Sequence, residues 1–114
     1  MTAHSDLIDA IILEASNRNI ARLFKNHSGV ATYIGKKTKK RSTVRYGVGP
    51  KEGGGHDLLG WRMRDGKFVS IDAKVGRDEL SESQIKWGKW VRAGNGIAGE
   101  ARSVEEAMEM IENG

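Results

Sequence analysis

Leu7, Ile8, Ile11, Ile12 and Ala15 recur at the spacing that lines one face of a helix, which predicts a helix over 7–19 with Asp6 as its cap. Glu14 falls on the same stripe, three residues after Ile11. Its carboxylate is expected to project from the face that meets the core or a cleft, although a boundary glutamate reaching water fits the periodicity equally well. The runs 23–26 and 30–34 read as short strands around His27-Ser28-Gly29, a sequence of turn composition, and make a plausible hairpin. The runs 58–63 and 68–75 flank Arg64-Asp65-Gly66 and carry the strongest hairpin signal, because Asp-Gly supplies the positive φ of a tight turn. They are expected at the centre of a sheet. Ser81-x-x-Gln84 opens a helix that Gly94 ends, with Gln84, Trp87, Gly88 and Val91 on one face. A strand over 97–101 follows. Ser103-x-x-Glu106 then opens a last helix with Val104, Ala107, Met108 and Ile111 as its apolar stripe. The expected fold is α/β, roughly αβββαβα, with a mixed central sheet flanked by helices.

At 114 residues the chain has room for one core, so a single domain over 1–114 is expected and any site must lie on its own elements. Hydrophobic residues at 38% and charged residues at 30% are ordinary for a globular protein, and no apolar run approaches the roughly 20 residues that cross a bilayer. No membrane partner is expected. The chain has no cysteine and no recognisable secretory leader, which points to an intracellular protein without disulfides or thiolate metal sites. The net charge of +4 changes the picture only through its position. Lys36, Lys37, Lys39, Lys40, Arg41 and Arg45 crowd into one stretch that runs on into glycines, giving a basic, glycine-rich loop over 36–56. Such a loop suits a phosphate backbone, and the same composition also fits a solvated surface loop.

In the strand over 68–75, alternation sends Val69, Ile71, Ala73 and Val75 to one face and Ser70, Asp72 and Lys74 to the other. An Asp and a Lys two apart on a strand often form an exposed ion pair of little worth. Here Asp57 stands at the start of the hairpin partner, just after a glycine run, so three charges converge from two paired strands. Hard divalent cations take oxygen ligands and keep several waters. Asp57, Asp72 and the backbone carbonyl of Ala73 would suffice for Mg2+ or Mn2+, with Lys74 placed to neutralise charge on a phosphate and Glu14 to complete or orient the shell. Gln84 either hydrogen-bonds water or the lysine, or serves only its capping box. Among the histidines, His4 is expected in a disordered tail, His56 lies near the site in a turn, and none has zinc-motif spacing. Trp61, Trp87 and Trp90 read as core or dimer-surface residues rather than base-stacking platforms.

These residues resemble a known family, the virus-type replication-repair nuclease (VRR-NUC) domain of the PD-(D/E)XK nuclease superfamily, over nearly the whole chain. The resemblance runs through the helix with Glu14, Leu23-Phe-Lys-Asn26 with Gly29, Arg45-Tyr-Gly47, Gly55-His-Asp57-Leu-Leu-Gly60, Ile71-Asp72-Ala-Lys74, Ser81-x-x-Gln84 with Trp87, Gly94 and the helix start at Ala101-Arg-Ser103-Val-Glu-Glu106. It implies a restriction-endonuclease-like core, dependence on Mg2+ or Mn2+, cleavage of DNA phosphodiesters, and Glu14, Asp57, Asp72, Lys74 and Gln84 as the functional positions. Two departures stand out: the family usually has Glu where this chain has Asp72, and the superfamily's Pro before the first Asp is His56 here. Short members of this kind look like phage or bacterial proteins and resemble Holliday-junction resolvases, which implies a homodimer on branched DNA. A nuclease-fold exonuclease, or an inactive DNA-binding or assembly module, are the alternatives. The intact set of acids and lysine argues against the inactive module.

Overall fold

The computed structural model describes residues 2–27, 29–37, 39–50 and 54–114. Helix α1 spans Ala3–Asn17 and is followed by strands β1 (Ala21–Lys25), β2 (Gly29–Ile34), β3 (Arg41–Tyr46), β4 (Leu58–Arg62) and β5 (Phe68–Ala73). Helix α2 (Glu82–Ala93), strand β6 (Ile97–Ala101) and helix α3 (Val104–Asn113) complete the chain. The main sheet has the order β1-β4-β5-β6, antiparallel except for the parallel β5–β6 pair that α2 connects. The described residues are thus mixed α/β, with a four-stranded mixed sheet and three helices.

Register explains which face is core. Val69, Ile71 and Ala73 on β5 pair with Ile97, Gly99 and Ala101 on β6, and the side chains of Val69, Ile71 and Ala73 pack with Ile11 and Ala15 of α1 and Ala107, Met108 and Ile111 of α3, all without solvent exposure. Ser70 and Asp72 therefore point to the opposite face, beneath α2. The stripe on α3 follows the expected spacing. The β4–β5 hairpin closes through a loop in which Gly66 has φ of 73° and its N–H donates to the Arg62 carbonyl at 2.8 Å. At Gly60 an added Cβ would lie 1.8 Å from the Arg22 carbonyl oxygen, so only glycine lets β1 approach β4 there.

Three expectations need correction. Helix α1 begins earlier than its apolar stripe, because Thr2 and Ser5 form a reciprocal capping box that makes Thr2, not Asp6, the cap. Strands β1 and β2 do not form a hairpin. β1 joins the main sheet beside β4, where Leu23 reaches the core, and β2 pairs with β3 in a separate two-stranded sheet. The expected basic loop over 36–56 accordingly contains a strand, β3, that its charges had masked. Residues 38 and 51–53 of that loop lie outside the described residues.

Candidate active site

Leu58 lies opposite Ile71 in the β4–β5 ladder, which puts Asp57 across from Asp72 where the two strands diverge. The two residues clasp each other through the backbone. Asp57 N–H donates to Asp72 Oδ1 at 3.1 Å, and Ala73 N–H donates to Asp57 Oδ2 at 3.0 Å. Both carboxylates are thereby fixed by strand pairing rather than by rotamer preference alone.

Asp72 has no exposed surface. Its Oδ1 also accepts from the Gln84 side-chain amide at 3.2 Å, while its Oδ2 lies 2.9 Å from Lys74 Nζ without an aligned donor. Among the described residues, that oxygen and Arg22 Nη1 are the buried side-chain polar atoms left without a hydrogen bond. Burial pushes the Asp72 carboxyl above its ordinary range, Lys74 opposes the rise, and the Asp57 charge adds to it. Lys74 follows β5, and its own N–H continues the ladder to the Ala101 carbonyl at 3.0 Å. Gln84 serves the capping box and also reaches the site, where its partner is Asp72 rather than the expected water or lysine. Its Oε1 accepts from Ser81 N–H at 3.0 Å to close the capping box, which leaves its Nε2 free to reach Asp72.

The first helix contributes differently from expectation. Glu14 is not at the site: its Oε1 accepts from Arg18 Nε at 3.0 Å, and Arg18 also meets Glu105 at 3.1 Å, so the carboxylate belongs to a seam between α1 and α3. The stripe that carries Glu14 faces α3 at that end of the helix. About three turns towards the N-terminus, roughly 15 Å along the axis, His4 takes the place expected of it. Its Nε2 lies 3.0 Å from Asp57 Oδ2 and 3.0 Å from the Ala73 carbonyl oxygen. His4 is therefore ordered in the first turn of α1, not in a disordered tail. The Thr2 and Ser5 hydroxyls three residues apart were the available signal that a helix starts there.

His56 is buried, 1% exposed, and is a structural anchor. Its Nδ1 lies 2.9 Å from Ser70 Oγ and its Nε2 donates to the Gln84 carbonyl at 3.0 Å, tying β5 to the first turn of α2. Trp87 adds to that tie by donating its indole N–H to Ser70 Oγ at 2.8 Å. Trp61 and Trp90 remain substantially exposed, Trp61 against Phe24 and Trp90 beneath the Lys86 ammonium.

Lys36 and Lys37 are exposed in the connection between β2 and β3, Lys39 and Lys40 follow them, and Arg41 begins β3. The side chain of Arg45 lies outside the described residues. The cations thus ride on a hairpin whose root is held beside the site by Asn26. The Asn26 side-chain amide donates to the carbonyls of Val48 at 2.7 Å and His56 at 3.0 Å, its oxygen accepts from Val48 N–H, and its backbone N–H donates to the Asp57 carbonyl at 2.7 Å.

Among the described residues no three His, Asp or Glu side chains form a ready-made metal cage. A cation held here would therefore draw on a backbone carbonyl and on water, as Mg2+ and Mn2+ readily do. The donor set fits that demand, since the buried Asp72 Oδ2 is paired with the Lys74 ammonium rather than with a backbone donor, and Asp57 Oδ2 and the Ala73 carbonyl oxygen converge on one nitrogen. Comparison with protein-family models and with curated proteins finds no match to this chain.

Proposed function

We propose that this protein is a Mg2+- or Mn2+-dependent DNA endonuclease with a restriction-endonuclease-like core of the VRR-NUC kind, acting on branched DNA such as Holliday junctions. The observation that carries the reading is the meeting of Asp57, Asp72, Lys74 and the Ala73 carbonyl at the end of one hairpin, with a fully buried carboxylate at Asp72 whose Oδ2 faces the Lys74 ammonium at 2.9 Å. An ion pair kept only for stability would not need a second carboxylate nearby, because the charge of Asp57 raises the cost of ionising Asp72.

Asp57, Asp72 and the Ala73 carbonyl would hold the cation, which supplies Lewis-acid polarisation of a phosphate and activation of water. Lys74 holds its ammonium against Asp72, where it can offset negative charge growing on a cleaved phosphate. Gln84 fixes the orientation of Asp72 by occupying Oδ1, so that Oδ2, the oxygen that faces Lys74, is the one that would meet the cation. His56 and Trp87 act one step further out by holding α2, and with it Gln84, against β5. The cations of the β2–β3 hairpin are placed to meet the DNA backbone, which would position a strand without reading its bases.

The test is a cleavage panel of linear duplex, flap and four-way-junction DNA with EDTA, Mg2+ or Mn2+. The reading expects cleavage only with a divalent cation and fastest on the junction. Cation-independent cleavage, or none on any substrate, would contradict it, and preferential cleavage from duplex ends would favour an exonuclease.

A further inference from the structure

We propose that the His4 imidazole is a direct ligand of the divalent cation, alongside Asp57 and the Ala73 carbonyl, and that it tilts the site towards first-row transition ions such as Mn2+ over Mg2+. This inference rests on the cation-dependent reading above and adds to it the side chain that selects the ion. Nε2 faces two oxygen acceptors at 3.0 Å each and has one lone pair or one proton to offer them. A neutral imidazole can only split its hydrogen between the two oxygens. A cation in place of that hydrogen is bonded by all three atoms at once, so the convergence matches a ligand set better than it matches a hydrogen bond.

Access and rigidity support the same assignment. The side chains of His4 and Asp57 are 40% and 27% exposed, which leaves the point open to an ion arriving with its waters. His4 is also held in place from outside the site, because the Thr2 and Ser5 capping box fixes the turn that carries it and Ile11 and Ala15 anchor α1 in the core. An imidazole suits transition ions, whereas Mg2+ strongly prefers oxygen. The ligand therefore makes a prediction about selectivity as well as affinity.

The experiment uses the full chain with MnCl2 or MgCl2 as the only added ligand. In pulsed electron paramagnetic resonance, the Mn2+-loaded protein should show modulation from a directly bonded imidazole nitrogen, and His4→Gln should lose it. In calorimetry, His4→Gln should weaken Mn2+ binding at least about tenfold, within the range that loss of a supporting residue around a metal causes, and leave Mg2+ binding within about threefold. His4→Glu should narrow the preference for Mn2+ by restoring an all-oxygen set. Bound Mn2+ without the nitrogen signal overturns the proposal, as does tighter Mn2+ binding by His4→Gln, which would make the imidazole a competitor of the ion. If DNA cleavage with Mn2+ persists while the nitrogen signal is absent, the His4 assignment fails and the nuclease reading stands. If no ion binds at all, both fail.

Discussion

Ionising Asp72 costs the fold, because burial raises its pKa above the ordinary 3.8, Lys74 opposes the rise and the charge of Asp57 adds to it. The sign follows from linkage: a raised carboxyl contributes stability below the unfolded value, and that contribution disappears as pH climbs through the raised one. Asp65 works in the opposite sense. The Arg62 guanidinium, 2.7 Å away, and the Lys67 N–H hold its carboxyl well below the ordinary range, so its contribution is present above pH 3.8 and disappears as pH falls. Thermal denaturation across pH should therefore show Asp72→Asn with a higher Tm than wild type at pH 7 and a gap that closes on acidification below the raised pKa. A lower Tm at pH 7 would contradict the buried-charge account. Asp65→Asn should have a lower Tm at pH 7 and converge with wild type in acid. His56→Ala should cost about 2–3 kcal/mol in chemical denaturation, since it empties a buried site and strips partners from Ser70 and the Gln84 carbonyl. A loss under about 0.5 kcal/mol, the size of an ordinary surface change, would contradict its anchoring role. Asp72 and Lys74 were legible because a strand alternates rigidly; His56 was not, because a histidine after glycines looks like turn chemistry until its partners on β5 and α2 are known.

The elements were legible where local pattern and tertiary demand agree. α2 and β6 begin and end at or within a residue of their expected boundaries, and α3 begins where its cap predicts; in the two helices capping residues and an apolar stripe say the same thing. β3 was hidden because Arg41, Arg45 and the lysines before it read as solvated chain, although Thr43, Val44 and Tyr46 have strand character and β2 offers them a full antiparallel register. β1 was paired wrongly because a short turn favours the next strand in sequence, whereas burial of Ala21 and Leu23 favours β4. Moving the cations from a loop onto a hairpin sharpens what they should do. Neutralising Lys39, Lys40 and Arg41 together should weaken binding to all DNA sequences alike, and by counterion release should flatten the slope of log affinity against log salt by about 3 if all three meet phosphates. Fluorescence anisotropy across a salt series measures this, and an unchanged slope and affinity would show that the hairpin does not hold DNA.

The molecule measures 52 × 33 × 26 Å with a radius of gyration of 15.9 Å, above the roughly 13 Å of a compact chain this long. A hairpin that pairs only with itself accounts for such extension. No helix among the described residues is long and apolar enough to cross a membrane. Two copies related by a dyad would place two sites on opposing strands of a junction, and a two-fold dimer is the commonest closed assembly. Light scattering at micromolar concentration should then give twice the 12.5 kDa chain mass, and a monomer that still cuts junctions symmetrically would contradict the dimer. The central claim is that Asp57, Asp72 and Lys74 form one catalytic site, and its most direct measurement is Mn2+-dependent cleavage of a four-way junction by the three single alanine variants. Each of Asp57→Ala, Asp72→Ala and Lys74→Ala should cut at least about a hundredfold more slowly than wild type, the scale on which loss of one charge-stabilising group is felt, while anisotropy reports largely retained junction binding. Wild-type cleavage by any of the three would contradict the site.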